Sequence, residues 1–278
     1  MEVFQDKYRC LVGEGPIWDY DNKKLVFLDI LGECIFIADY PQGEIKRIEV
    51  GQKVGCMALC ENGDILLGME DGVYRLNDKG DITLAHKPVS IKGERFNDGK
   101  AGPDGCYYLG TSDKNGKGAF YRLKDGELTE LFFGCGCSNG LDWSADETQM
   151  FYCDSPLHKI EIFDFDKENN SISGRRTLIE LDESLGTPDG LTVDTEDNLW
   201  VALWDGEAVI KINGDGEITE KIHVPAKKPS SCCFAGENLE DLIITSASKG
   251  DEVYFPLAGY VFKANVGAKG RKTYKYKY

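Results

Sequence analysis

The sequence predicts an all-β protein with the architecture of a six-bladed β-propeller, and three observations support this prediction. A short apolar segment recurs six times along the 278-residue chain, and successive copies start 40 to 49 residues apart. Turns of the Asn-Gly, Asp-Gly or Lys-Gly type separate the apolar runs, as β-hairpins require. No stretch keeps apolar residues at helical spacing for long. A repeat of this length with these turns is typical of propeller blades.

The six copies define the predicted blades. The recurring segments are LVFLD from Leu25, ILLGM from Ile65, YYLGT from Tyr107, MFYCD from Met150, LWVAL from Leu199 and LIITS from Leu242. Each period has room for four strands; in the second copy ILLGM, GVYRL and ITLAH follow one another across two glycine turns. GYVFKANV, which follows Gly259, fits a late strand of the sixth copy, and the initial EVFQDKYRC fits its missing outer strand. We therefore expect a single propeller domain over residues 1–278.

The charge balance restricts the possible partners. The chain carries 48 Asp and Glu against 32 Lys and Arg, a formal net charge of −16. Such a surface repels phosphate backbones and anionic lipid, so we expect neither nucleic-acid nor membrane partners. A divalent cation or a neutral small molecule is not repelled. Basic residues near the C-terminus are interpreted as a last strand with a solvated tail rather than an anion site. They are Lys269, Arg271, Lys272, Lys275 and Lys277.

The remaining composition favours a cytoplasmic protein. The first ten residues carry charges and no apolar run, so no signal peptide is expected. No stretch approaches the roughly 20 apolar residues that a membrane helix needs. The 10 cysteines lack C-x-x-C spacing and are expected to be buried thiols. We expect a monomer or a weak homo-oligomer.

The positions that should meet on the propeller axis are occupied largely by polar residues. In a propeller the first strand of each blade lines the central channel, so equivalent positions converge. Ten or eleven residues before the recurring segments stand, in chain order, Glu14, Gly55, Asn97, Asn139, Asp189 and Ser231. Four of these carry carboxylate or amide oxygens, which are costly to bury without partners. A cation removes that cost, and oxygen ligands without Cys or His suit Ca²⁺, Mg²⁺ or Mn²⁺ and tolerate Zn²⁺.

Small neighbours support convergence at these positions, although a second interpretation stays open. Gly15, Gly140 and Gly190 directly follow three of the polar residues, and small residues allow strands to crowd and bulge. Alternatively, the polar residues cap the strand entries through local hydrogen bonds. That role is expected for Asp142, Asp154 and Asp194.

Two further features are less specific. Arg95 stands two residues before Asn97 and should face the same side, at the channel mouth, where it could bind substrate oxygens. It could equally pair with Asp98 or Glu94 on the surface. The segment 136–140 matches the G-x-S-x-G nucleophile elbow, but a strand and turn follow it instead of a helix, and no acid–His pair is evident. We do not favour a serine hydrolase.

Several segments together resemble the senescence-marker-protein/gluconolactonase family, which includes regucalcin. They are GEGPIWD at 13–19, RFNDGKAGPDG at 95–105, SNGLDWSAD at 138–146, FYCDS at 151–155, TPDGLTVD at 187–194, NLWVALWDG at 198–206 and PSSCCFAG at 229–236. The resemblance implies a six-bladed propeller with one divalent cation and sugar-lactonase activity. It implies Glu14, Asn139 and Asp189 as metal ligands and Arg95 and Asn97 as substrate contacts. One departure is Lys117, in a 113–118 loop that the resemblance places at the pocket; relatives often have an acidic or other polar residue there.

The functional hypothesis is a metal-dependent hydrolase that opens aldonolactones such as gluconolactone to aldonic acids. The cation (Ca²⁺, Zn²⁺, Mg²⁺ or Mn²⁺) would polarise the lactone carbonyl, and Asp189 would act as general base on water. Three alternatives remain open. They are a calcium-binding protein without catalysis, a hydrolase of another ester or an organophosphate, and a WD-type interaction propeller. The last is disfavoured because Gly-His and Trp-Asp markers are absent in register.

Overall fold

The chain folds into six four-stranded antiparallel sheets, one for each copy of the repeat. The computed structural model describes residues 1–41, 43–87, 92–251 and 253–278. Over these residues the only helical elements are two single 3₁₀ turns, Ser155–Leu157 and Glu183–Leu185. Each sheet forms one blade, and the blades are numbered I to VI. The prediction of an all-β, six-bladed propeller is confirmed.

The strands are numbered in chain order, and blades I to V each contain four consecutive strands. Blade I contains β2 (Gly13–Asp19), β3 (Lys24–Asp29), β4 (Cys34–Asp39) and β5 (Ile45–Glu49). Blade II contains β6 (Val54–Leu59), β7 (Ile65–Met69), β8 (Val73–Leu76) and β9 (Ile82–His86). Blade III contains β10 (Arg95–Ala101), β11 (Tyr107–Ser112), β12 (Gly118–Lys124) and β13 (Glu127–Cys135). Blade IV contains β14 (Ser138–Trp143), β15 (Gln149–Asp154), β16 (Lys159–Asp166) and β17 (Ser171–Glu180). Blade V contains β18 (Thr187–Val193), β19 (Leu199–Trp204), β20 (Ala208–Ile212) and β21 (Ile218–His223).

Blade VI closes the ring because it takes strands from both ends of the chain. It contains β22 (Lys228–Ala235), β23 (Asp241–Ala247), β24 (Val261–Asn265) and, as its outermost strand, β1 (Glu2–Gln5). In the antiparallel pairing of β1 with β24, Glu2 lies opposite Lys263 and Val3 opposite Phe262. The predicted roles of the initial segment and of the segment after Gly259 are both confirmed. Closure therefore rests on backbone hydrogen bonds as well as on packing between blades.

The apolar core lies largely between neighbouring blades. One cluster joins Leu28 of blade I to Val54 and Leu67 of blade II, and others join the remaining blades in the same way. Successive residues of a strand point to opposite faces of the sheet. Both faces carry buried side chains, because each blade is covered on both sides by its neighbours. Burying each large aliphatic side chain contributes about 1.5–3 kcal/mol. This packing fixes the inner strands that carry the polar residues.

The C-terminal tail corrects one interpretation of the sequence. Residues 269–278 do not form a last strand with a solvated end; they cross the face of the ring where the inner strands end and contact all six blades. The tail exchanges backbone hydrogen bonds with Thr195, Leu239, Leu59, Glu61 and Gly105, and its side chains bond Trp143, Ser144, Glu147 and Trp18. Tyr276 is fully buried, and Lys275 pairs with Asp21 at 2.7 Å. Four of the five basic side chains contact the blades: Arg271, Lys272, Lys275 and Lys277.

Two compositional expectations can be compared with the structure. All ten cysteines are free thiols, eight of them buried and two, Cys137 and Cys233, half-buried. This agrees with the predicted buried thiols. None of the helical turns in the described ranges has the length and apolar character needed to cross a bilayer.

Candidate metal centre

The six inner strands share a backbone irregularity at the depth of the predicted polar positions. These strands, β2, β6, β10, β14, β18 and β22, contact one another in a closed ring. The pairing register shifts at Glu14 in β2, around Asn97 in β10, around Asn139 in β14 and around Asp189 in β18. A β-bulge takes residues out of the ladder and turns side chains in a new direction. Each of these four bulges therefore turns one polar side chain out of its sheet and toward the channel.

The four polar residues predicted to converge line one cavity. Glu14, Asn97, Asn139 and Asp189 are each only 5–7% exposed, and all four border a cavity of about 610 Å³. This volume lies within the range of small-molecule sites, about 300–1,000 Å³. The other two positions in the same phase, Gly55 and Ser231, do not border it. Asp142, Asp154 and Asp194 accept local or cross-strand backbone hydrogen bonds, as expected for capping residues.

Glycines allow the inner strands to approach this closely. A Cβ at Gly190 would lie 2.1 Å from Ser231 Oγ, and a Cβ at Gly140 would lie 2.5 Å from the backbone nitrogen of Leu191. Gly15 has a positive φ of 51°, a conformation that side chains disfavour. The prediction that small residues permit crowding is confirmed at Gly140 and Gly190, whereas Gly15 permits the bulge after Glu14 through its backbone conformation.

The carboxylates at the site are electrostatically destabilised. Burial raises the pKa of Glu14 well above its ordinary value, and the negative charges of Asp189 and Asp98 raise it further. Burial and Asp98 raise the pKa of Asp189 more than the Asn139 side chain and Arg95 lower it. Burial also raises the pKa of Asp98 to about 6. Two buried carboxyl groups that repel each other favour binding of a proton or a cation.

The amides are oriented with their nitrogen atoms engaged. Asn97 Nδ2 donates to the carbonyl of Ser138 at 2.8 Å, and Asn139 Nδ2 donates to Ser155 Oγ at 2.9 Å. Asn139 Oδ1 is buried and has no hydrogen-bond partner within the residues that the structure describes. A buried acceptor of this kind costs about 1–3 kcal/mol unless something occupies it.

These observations test whether the residues suit a divalent cation. An unsatisfied amide oxygen beside two desolvated carboxylates is the donor chemistry of Ca²⁺, Mg²⁺ and Mn²⁺. Among the described residues no group of three or more His, Cys, Asp and Glu side chains is close enough to hold a metal ion. The site therefore depends on the amide as a ligand. Glu14, Asn139 and Asp189 fit the role predicted for them, which stays a prediction.

The remaining sequence-based candidates separate clearly. Arg95 borders the cavity, and its Nη1 donates to the carbonyl of Phe96 at 2.9 Å. The structure thus favours the channel-mouth interpretation over a surface ion pair. Lys117 is exposed and does not border the cavity, so the expectation that its loop contributes to the pocket is wrong for this residue. The loop joins β11 to β12, outside the inner strand.

The nucleophile-elbow interpretation is excluded by burial. Ser138 is 0% exposed, and its Oγ would lie 1.8 Å from a Cβ at Gly110, so no substrate could reach it. The segment continues as strand β14 and leads into another strand rather than a helix. None of the described residues that border the cavity is a histidine.

Other residues at the site were not assigned from the sequence. Ser155, at the start of a 3₁₀ turn, reaches across to Asn139, although it lies outside the inner strands. The lining of the cavity also includes the apolar side chains of Ile30 and Leu31 and the indole of Trp204. Ser155 ends the segment FYCDS, which carried the family resemblance, but nothing in its spacing indicated this contact.

The family assignment follows from comparison with known proteins. The model of the family described as SMP-30/Gluconolactonase/LRE-like region matches residues 12–248. This chain belongs to that family. Regucalcin of Gallus gallus is 34% identical over 99% of this chain and 97% of its own length. The resemblance inferred from the sequence is confirmed.

Two solved structures show how closely the fold of this family member is shared. A luciferin-regenerating enzyme aligns with a TM-score of 0.92 at 28% identity, over 100% of this chain and 99% of that one. A regucalcin from Agrobacterium tumefaciens, described as a calcium-binding protein, aligns with a TM-score of 0.94 at 23% identity, over 100% and 98%. The second match supports the fold alone.

Proposed function

We propose that this family member is a divalent-metal-dependent hydrolase that opens sugar lactones, such as gluconolactone, to aldonic acids. The observation that carries the proposal is the unsatisfied buried Oδ1 of Asn139 in a cavity shared with Glu14 and Asp189. Membership of a family named in part for gluconolactonase supports the reaction class. A cavity of about 610 Å³ suits one sugar ring with its hydroxyl groups.

Glu14, Asn139 and Asp189 would hold the cation. When bound, the cation supplies Lewis-acid polarisation of the lactone carbonyl. A ligand set made only of oxygen atoms suits Ca²⁺. Zn²⁺, Mg²⁺ and Mn²⁺ are compatible with the same oxygen ligands.

The chain's own side chains orient the substrate and move the proton. Asp189 would accept the proton of the attacking water as the general base. The water oxygen bonds to the carbonyl carbon, the ring C–O bond breaks, and the proton passes to the departing ring oxygen, which becomes a hydroxyl. Asn97 Oδ1 can accept from a sugar hydroxyl because its Nδ2 is already engaged by Ser138. Arg95, which borders the cavity at the channel mouth, can donate a hydrogen bond to another sugar hydroxyl.

One observation favours a second candidate within hydrolysis. Three of the residues that line the cavity, Ile30, Leu31 and Trp204, offer no hydrogen-bonding side-chain group except the indole N–H. Such side chains would contact an apolar group better than a sugar hydroxyl. A lactone or ester with an alkyl or aryl substituent, or an organophosphate, would use the same polar residues of the cavity, which are Glu14, Asn97, Asn139 and Asp189.

The test is a hydrolysis panel with purified protein. Gluconolactone, an alkyl-substituted lactone, an aryl ester and an aryl organophosphate are each assayed with Ca²⁺, Mn²⁺, Zn²⁺ or Mg²⁺ and again with chelator. We expect metal-dependent turnover of the sugar lactone, lost in Asp189→Ala and retained in the exposed-turn control Asp215→Ala. Turnover only of the apolar substrates would select the second candidate. Metal binding without turnover of any substrate would leave a non-catalytic calcium-binding protein and overturn the proposal.

A further inference from the structure

Ser155 lies between two parts of the candidate centre that are distant in sequence. It begins the short turn after β15 and is 7% exposed. Its Oγ accepts from Asn139 Nδ2 at 2.9 Å and donates to the carbonyl of Pro188 at 2.7 Å. Pro188 directly precedes Asp189. One hydroxyl therefore connects the amide of blade IV to the strand that carries the aspartate of blade V.

The direction of this hydrogen-bond chain is fixed by chemistry. The carbonyl of Pro188 can only accept, so the single hydroxyl proton of Ser155 must point toward it. Ser155 Oγ can then only accept from its other neighbour. The branch of the Asn139 amide that faces Ser155 must therefore be the NH₂ group, and Oδ1 must take the other branch.

That orientation matters because the two branches of an amide are nearly identical in shape. Without a partner that selects between them, Asn139 could rotate by half a turn about its last side-chain bond at little steric cost. The flipped amide would present donors where Oδ1 now lies, and donors cannot bind a cation. Oδ1 is also the buried atom that lacks a partner within the described chain, so the selected orientation holds an acceptor in an otherwise costly position.

We infer that Ser155 is a positioning residue, which fixes the amide of Asn139 with its oxygen directed to the cation site. The inference rests on the proposed role of Asn139 as a metal ligand. Ser155 borders the cavity, but in this role it acts through Asn139 and not as a ligand itself. Its effect should be one of metal affinity, because partners that orient a metal ligand typically change affinity by about 10–100-fold.

The experiment measures the binding of Mn²⁺ and Ca²⁺ to metal-free full-length protein by titration calorimetry. We expect Ser155→Ala to weaken binding by about 10–100-fold. Ser155→Thr, which keeps the hydroxyl, should recover most of the affinity. Ser144→Ala is the matched control, because Ser144 lies in the same blade but bonds Asp146 at 2.7 Å at the other end of the inner strand. The melting temperature of each metal-free variant verifies folding.

The outcomes separate the two proposals. Wild-type protein that binds no divalent ion would overturn the metal-dependent function and this inference with it. Wild-type protein that binds an ion, with Ser155→Ala binding equally well, would overturn the positioning role and leave the proposed function standing. Loss of affinity in Ser155→Ala that Ser155→Thr does not restore would indicate a packing effect, and would also overturn the role.

Discussion

Replacing Gly190 with alanine should destabilise the ring where the inner strands β18 and β22 are in close contact. The new Cβ would lie 2.1 Å from Ser231 Oγ, 2.5 Å from Ser231 Cβ and 2.8 Å from Ser231 Cα. Non-bonded carbon atoms normally approach no closer than about 3.5 Å. A new Ser231 rotamer would relieve only the first contact, since the other two atoms are fixed by the backbone. The strands β18 and β22 must therefore move apart.

The expected cost is at the upper end for overpacking, about 3 kcal/mol. For a chain of this size 1 kcal/mol corresponds to about 2–4 °C, so Gly190→Ala should melt about 6–12 °C below wild type. The matched control is Gly214→Ala, whose Cβ meets nothing within 4 Å and whose φ is not in the left-handed range. That control should differ from wild type by less than about 1 kcal/mol.

Differential scanning calorimetry of the metal-free proteins measures both values. A double-mutant cycle with Ser231→Gly should recover part of the loss, because it removes the Oγ and Cβ contacts but not the contact with Cα. Equal melting temperatures for Gly190→Ala and Gly214→Ala would refute the reasoning that close contact between inner strands requires glycine here.

Two further predictions concern the candidate centre and the tail. Asp189→Asn should raise the melting temperature of the metal-free protein at pH 8. It should also abolish stabilisation by metal, which for wild type is about 2.7 kcal/mol when the free metal concentration is 100 times the dissociation constant. The pKa of Asp189 is raised in the folded state, so Asp189 destabilises the wild-type fold increasingly as the pH rises above about 3.9, the pKa of an unfolded aspartate. Asparagine carries no such charge. The difference in stability between Asp189→Asn and wild type should therefore shrink as the pH falls toward about 3.9. A metal-free variant that is less stable than wild type at pH 8 would contradict this prediction. Deletion of residues 269–278 removes buried Tyr276 and contacts with all six blades, and should cost more than about 3 kcal/mol in thermal unfolding, whereas unchanged stability would show the tail to be dispensable.

The sequence was sufficient for the fold because blade length varies little. Six hairpin-rich repeats fix six sheets, and a nearly constant distance from the first strand to the second places Glu14, Asn97, Asn139 and Asp189 at equal depth. The bulges that turn these side chains inward were indicated by the following glycines. Periodicity therefore predicts both the ring and the polar residues at its centre.

The features that were missed have no periodic signal. Ser155 contacts Pro188 across 33 positions of sequence, through a turn outside the inner strands. The C-terminal tail hydrogen-bonds mainly to backbone atoms of the blades. These atoms are the same in every residue type, so the sequence contains no pattern from which the path of the tail could be predicted. Lys117 was placed at the pocket through resemblance alone, and the structure puts its side chain on an exposed turn.

The most direct measurement is a crystal structure of the protein grown with Mn²⁺, with anomalous difference density recorded for the ion. We predict one peak near the N-terminal ends of the inner strands, with oxygen atoms of Glu14, Asn139 and Asp189 at about 2.0–2.6 Å from the ion. The Asn139 ligand should be Oδ1, with Nδ2 still donating to Ser155. No peak at saturating Mn²⁺, or a peak whose ligands exclude Asn139 and Asp189, would contradict the account.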